Sequence, residues 1–181
     1  MITPKETLLL VIDIQGKLAT SVVQPDRLVK NVSKLLRACN LLEVPVIYTE
    51  QYPKGLGPTV GELKELIGQE TPFEKLSFSC CGNDDFMKRL RSLGRNDILV
   101  VGIETHVCVY QTCRELLEFG YNVHLVTDAV SSRSEENREL GIRCIERAGG
   151  MPTSTEMVIF ELQRIAEGET FKAISKIIKE D

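Results

Sequence analysis

The feature that most constrains this chain is an uninterrupted apolar run, Leu8-Leu9-Leu10-Val11-Ile12, that ends abruptly at Asp13. A strand with one face in water alternates apolar and polar residues, whereas a run without alternation suits a central parallel strand covered on both faces. Such a strand needs helices on both sides of its sheet, and its carboxyl end is where open α/β sheets hold their ligands. Asp13 stands where the chain leaves the sheet.

The same signal recurs along the chain. Val44 to Thr49 reads as a second strand with Pro45 near its start, where a missing donor is tolerated. Phe73 to Ser79 holds a short strand, Asp97 to Ile103 a buried one, Tyr121 to Thr127 another, and Thr155 to Ile159 a last, partly polar one. Between them lie helical patterns. Leu28, Val32, Leu35, Leu36 and Cys39 repeat at spacings of three and four over Pro25 to Leu42. Further helices are expected over Phe86 to Leu93, Val107 to Phe119, Glu135 to Ala148 and Gly168 to Lys179, with Gly94, Gly120 and Gly149-Gly150 as stops.

No linker, low-complexity tract or repeat divides the pattern, and 181 residues at 43% apolar suffice for one core, so residues 1–181 are read as a single domain. About six strands alternating with helices predict a three-layer αβα sandwich around a doubly wound, mostly parallel, Rossmann-like sheet. The turn-rich stretch Gln51 to Thr59 is too long for a minimal connection and is a candidate lid.

Charge excludes some partners. With 22 Lys and Arg against 26 Asp and Glu, the net charge of −4 offers no basic stripe for nucleic acid. The longest apolar run is far too short to span a membrane and no basic-then-apolar leader is visible, so a cytoplasmic protein is expected. Asn31-Val32-Ser33 is formally a glycosylation sequon, without meaning in that setting. The six cysteines form no C-x-x-C pair and His106 and His124 have no ligand spacing with them, so neither metal nor cofactor is expected.

Cys108 carries the most chemistry. Thr105 is a natural N-cap that places Cys108 in the first turn of a helix, where free amides and the helix dipole favour a thiolate. The bland alternative is a small buried hydrophobe. Cys39, Cys113 and Cys144 fall within helical patterns and Cys80-Cys81 in a loop. A cysteine nucleophile needs a base. His124 lies inside a strand and His106 points away from Cys108, which leaves an aspartate such as Asp13, given a cation to balance the charge. Asp13 could equally cap a turn. Nothing bottom-up selects the cation from 22 basic residues. Asp128 could be a further site residue, but a structural role in its turn is the simpler account. Ser132-Arg133-Ser134-Glu135 reads as a capping box opening the next helix.

Leu10-Val11-Ile12-Asp13-Ile14-Gln15, Glu74-Lys75-Leu76-Ser77-Phe78-Ser79 and Gly102-Ile103-Glu104-Thr105-His106-Val107-Cys108-Val109 together resemble the isochorismatase-like cysteine hydrolases over essentially the whole chain. Thr49 to Gly57 and Asp128 to Ser134 are similar to the isochorismatase domain-containing branch. The resemblance implies a triad of Asp13, Lys75 and Cys108: Cys108 attacks a carbonyl carbon, Asp13 shuttles protons, and Lys75 stabilises both anions. It implies a non-proline cis peptide at Ile103–Glu104, with the backbone amides of Glu104 and Cys108 forming an oxyanion hole.

The metal-dependent nicotinamidases of this family have Asp-x-His after the second strand, where this chain has Glu50-Gln51-Tyr52, so a metal-independent reaction is expected. Isochorismatase itself lacks the nucleophilic cysteine, so Cys108 points to amide or related acyl chemistry on a small molecule. Gln15, Gln51, Tyr52, Phe78, Thr105 and Tyr110 are candidate pocket residues by their places beside the three motifs. Homo-oligomerisation is also implied. Two other classes stay open: a non-catalytic binding or scaffolding protein on the same fold, and a redox sensor using Cys108 and Cys113.

Overall fold

In the computed structural model, which describes residues 1–180, the elements follow one another in the expected alternation. Strand β1 (Thr7–Ile12) leads through helices α1 (Gly16–Ser21) and α2 (Pro25–Leu41) to β2 (Val46–Gln51). Helices α3 (Pro53–Leu56) and α4 (Gly61–Ile67), β3 (Phe73–Lys75), a 3-10 turn (Cys80–Gly82) and α5 (Asp84–Leu93) come next. Strand β4 (Asp97–Ile103) runs through a π turn (Thr105–Val109) into α6 (Tyr110–Glu118). Then follow β5 (Asn122–Ser131), α7 (Glu135–Arg147), β6 (Met151–Thr153), α8 (Thr155–Gln163) and α9 (Gly168–Lys179).

All six strands belong to one parallel sheet in the order β3-β2-β1-β4-β5-β6. The chain winds outwards from β1 to β3, then returns to the other side of β1 with β4, so the switch of direction falls between β1 and β4. The apolar run of β1 serves both faces. Leu9 and Val11 pack with α2, α4, α8 and α9, while Leu8, Leu10 and Ile12 pack with α5, α6 and α7. Each such buried side chain contributes about 1.5–3 kcal/mol of transfer free energy, which is why the run tolerates no polar residue before its end.

Two glycines set the approach of elements at the site end. Gly102 has φ +127°, and a Cβ there would lie 2.1 Å from the Ile12 carbonyl oxygen, so only glycine lets β4 press against the end of β1. A Cβ on Gly141 would meet the Thr105 carbonyl carbon at 2.9 Å, so its absence lets α7 pack on the turn that carries Cys108.

Three local expectations are corrected. The last strand is Met151–Thr153, and Thr155 to Ile159 is helical, because the Ser154 hydroxyl accepts from the Met157 amide and starts α8. The cap of α7 is Ser134, which accepts from the Asn137 amide, so the box beginning at Ser132 is displaced by two residues. The Cys108 turn has Glu104 at its cap position with no side-chain cap, because the Thr105 hydroxyl donates to the Ser131 carbonyl instead.

Candidate active site

The carboxyl ends of β1, β3 and β4 bring Asp13, Lys75 and Cys108 to one place. Asp13 is the first residue beyond β1, turned to φ +52° and almost wholly buried, and its amide donates to the Thr49 carbonyl. Its two carboxylate oxygens have different partners: Oδ1 accepts from the Thr49 hydroxyl at 2.7 Å, and Oδ2 accepts from Lys75 Nζ at 2.6 Å. Lys75 closes β3 with its side chain only 1% exposed. Its Nζ also donates to Gln51 Oε1 at 2.6 Å, to the Phe78 carbonyl at 2.9 Å and, more weakly, to the Ser77 carbonyl at 3.3 Å. Three ammonium hydrogens thus serve four acceptors. Burial alone would lower the Lys75 pKa, but the Asp13 charge and the neighbouring thiols outweigh it and the lysine is raised.

Cys108 is 7% exposed, and its thiol is pushed up to about 12, first by burial and then by the charge of Asp13; Lys75 acts in the opposite direction. This direction runs against the thiolate expected at a helix start. Burial and an adjacent carboxylate outweigh the dipole of one turn.

The peptide Ile103–Glu104 is cis. The Glu104 carbonyl accepts from the Val107 and Val109 amides, while its carboxylate Oε1 accepts from the Arg133 amide and Nε.

The other candidates separate. Gln15 is completely buried and both ends of its amide are occupied: Oε1 accepts from the Gln51 amide, and Nε2 donates to the Gln51 and Gly57 carbonyls. Gln51 reaches the site itself. Tyr52 and Phe78 are half exposed at its rim; Tyr52 helps line a cleft of about 310 Å³ with Pro53, Lys54, Glu74, Lys75 and Leu76. Thr105 is buried with its hydroxyl spent on Ser131, and Tyr110 lines a separate groove with Arg114 and Cys144, so neither joins the cluster. Residues 52–59 are strapped down rather than hinged: Glu50 Oε1 accepts from both the amide and the hydroxyl of Thr59, and Val60 donates to the Ile14 carbonyl.

Two residues at the site escaped the sequence reading. Thr49 lies within β2, and only its pairing beside Ile12 brings its hydroxyl to Asp13. Cys80, read as an ordinary loop cysteine, is fully buried beside the cluster, with its Sγ 3.7 Å from the Thr49 hydroxyl. Asp128 does what the simpler account supposed, accepting from the amide and hydroxyl of Thr155 at the start of α8.

A family model described as the isochorismatase domain matches residues 7–157, spanning the site from β1 to the start of α8. This chain belongs to the isochorismatase family. It is 39% identical to isochorismatase family protein 1B of Dictyostelium discoideum, covering 99% of this chain and 89% of that protein. It is also 39% identical to isochorismatase domain-containing protein 2 of Danio rerio, covering 98% and 89%. Among solved structures it resembles the MAR1 ribonuclease of Caenorhabditis elegans with a TM-score of 0.93 and 40% identity, covering 99% of this chain and 93% of that one. YcaC from Pseudomonas aeruginosa, described with hexane-2,5-diol and covalent acrylamide, matches with a TM-score of 0.90 and 28% identity over 97% and 90%. The α/β fold and the hydrolase family are thereby shown. Among the described residues no helix is long and apolar enough to cross a membrane.

Proposed function

We propose that the protein is a metal-independent cysteine hydrolase of small amides or related acyl compounds, with Asp13, Lys75 and Cys108 as its catalytic triad. The observation that carries this reading is the buried Asp13–Lys75 ion pair at the sheet end, with the buried Cys108 close enough to feel both charges. A buried ion pair adds little net stability, so its retention at a sheet end calls for a chemical use.

The thiol proton passes to Asp13 as Cys108 Sγ bonds to the substrate carbonyl carbon, and the oxyanion faces the backbone amides of Glu104 and Cys108. Asp13 then returns the proton to the nitrogen, the C–N bond breaks, and the amine leaves a thioester. Water adds to the thioester carbon while giving a proton to Asp13. That proton goes to sulfur as the acid is released. Because all three Lys75 hydrogens are engaged, the lysine balances the Asp13 charge rather than touching the substrate. The six free cysteines favour a reducing, cytoplasmic setting. Assembly into a homo-oligomer is part of the same reading, supported by an Escherichia coli YcaC neighbour described as an octameric hydrolase.

Acrylamide, a small amide found covalently held in a relative, is a direct probe. Its addition consumes the thiol proton, so Asp13 can take it from sulfur and hand it to carbon. We expect a single adduct on Cys108 by intact mass and peptide mapping, at a rate nearly flat from pH 6 to 8.5. Cys108→Ala removes the adduct. Asp13→Asn slows it at least 100-fold at pH 7. A slow rate rising tenfold per pH unit is the behaviour of an unassisted buried thiol, and would hand the protein to the non-catalytic binding class. The redox-sensor class needs a Cys108–Cys113 disulfide under mild peroxide, and Cys113 is fully buried in α6.

A second reading comes from the ribonuclease name of the Caenorhabditis elegans neighbour. Incubation with structured and single-stranded RNA tests it; cleavage that survives in Cys108→Ala would place that activity outside the triad. The net charge of −4 stands against strong RNA binding.

A further inference from the structure

We infer that Gln51 is a positioning residue of this site: its side-chain oxygen holds one Lys75 ammonium hydrogen, and its own rigid seating keeps that ammonium turned towards Asp13. The inference rests on the triad reading above and adds to it a residue that acts only through Lys75.

Gln51 is unusual in having every polar atom committed. Its Oε1 accepts from Lys75 Nζ at 2.6 Å, and its Nε2 donates at 2.9 Å to the carbonyl of Leu76, the residue after the lysine. The side-chain amide therefore grips Lys75 from two sides, by its ammonium and by the backbone beyond it. Its backbone is held as well. The Gln51 amide donates to Gln15 Oε1 at 2.6 Å, and its carbonyl accepts from Gln15 Nε2 at 3.2 Å, which copies the paired bonds of a strand neighbour where β1 has already ended. The register of β2 on β3 pairs Gln51 with Lys75 directly. Gln15 Nε2 also donates to the Gly57 carbonyl at 2.7 Å, so an unbroken chain of hydrogen bonds runs from residue 57 through Gln15, Gln51 and Lys75 to Asp13.

An ammonium has three hydrogens, and a buried one left without an acceptor costs free energy. With Gln51 in place, the acceptors on Lys75 are one charged oxygen, one amide oxygen and the backbone carbonyls of Phe78 and Ser77. Those neutral acceptors fix the ammonium without competing for its charge, so its whole field falls on Asp13. Without Gln51, its 2.6 Å bond is replaced only by the long 3.3 Å contact to the Ser77 carbonyl, and the lysine is freer to turn from the carboxylate or to lose its proton earlier.

The test is a double-mutant cycle on acrylamide labelling of Cys108 in the full chain, combining Gln51→Met with Lys75→Met. Methionine keeps the length of glutamine and removes its acceptor. Gln51→Met should slow labelling about tenfold at pH 7 and move the alkaline end of the flat pH range down by about one unit. In the Lys75→Met background the same substitution should change the rate less than twofold. A purely structural role predicts the reverse, faster labelling as the buried thiol becomes exposed, with the two effects adding; that result overturns the inference, as does an unchanged rate in Gln51→Met. If Lys75→Met itself labels like the parent protein, the triad reading fails first. Gln51→Ala, read in the same way with its melting temperature, guards against a misfolded variant.

Discussion

The sheet carries an aspartate beyond or near the end of two of its strands, and the two have opposite fates. Asp13, beyond β1, is buried and shared between a threonine hydroxyl and an ammonium, near a buried thiol. Asp128, late in β5, is half-buried and accepts from the amide and hydroxyl of Thr155, at the N-terminus of α8. Nearby, the Arg138 guanidinium donates to the carbonyls of Val130 and Thr127. At Asp128 the backbone accounts for the charge, since amides at a helix start want an anion. At Asp13 no helix end is served, and the compensating charge is a second buried ion. A carboxylate explained by the chain's own architecture is structural; one whose partners are themselves reactive groups is where chemistry is to be sought.

The largest difference between the two should appear in stability. Removing one member of the buried pair strands the other, so Lys75→Met should cost about 3–5 kcal/mol in urea unfolding. Asp13→Leu combined with Lys75→Met should recover most of that, because two apolar side chains leave no ion behind, while acrylamide labelling stays lost. If the double variant is no more stable than Lys75→Met alone, the pair is held for packing or hydrogen bonding, and the contrast with Asp128 weakens.

How much of this contrast the sequence carries depends on how local the signal is. The apolar run of β1 and its abrupt end at Asp13 lie in consecutive residues, and so the central strand and the candidate Asp13 at its carboxyl end could be read directly, whereas the strand order could not. Lys75 could not, because its four acceptors come from beyond the end of β1, from β2 and from the following loop, and lysine is ordinarily a surface residue. Only family resemblance selected it. Thr49 and Cys80 were missed for the same reason. The helix at Thr155 was misread as a strand because a short apolar run fits either period, and the decisive group was the capping hydroxyl of Ser154 just before it. The thiolate expected at Cys108 meets an opposing effect that the sequence does not show: a dipole argument is local, whereas desolvation is set by everything packed around the sulfur.

Alkaline pH offers a middle-sized test that separates site from core. Cys39, in the core, and Cys108, in the site, are both pushed up to about 12, and Cys80 to about 11, with burial the leading cause in each. The native state keeps these protons after the unfolded chain has released them near pH 8.5, so stability is full below that pH and falls as pH rises towards the folded values. Each thiol contributes up to about 1.4 kcal/mol per pH unit. Cys39→Ala and Cys108→Ala should each remove one thiol's share of the slope between pH 9 and 10.5, yet only Cys108→Ala should abolish labelling. Lys75, being raised, also loses its contribution only as pH climbs through its folded value, so the ion pair persists across the range where the thiols begin to act.

The smallest effect is expected at Asp128. Its substitution by alanine removes a helix-start acceptor from Thr155, but Ser154 still caps α8 through the Met157 amide, so the loss should be about 1 kcal/mol. Asp128→Asn should cost less again, since an amide oxygen still accepts from the Thr155 amide. Neither should alter the rate or the pH profile of Cys108 labelling by more than about twofold, because the partners of Asp128 lie on α8 and α2 rather than on the elements that hold Asp13. A tenfold fall in labelling with Asp128→Asn would instead tie the β5 end to the chemistry, and would extend the site across Ser131 to the turn at Thr105.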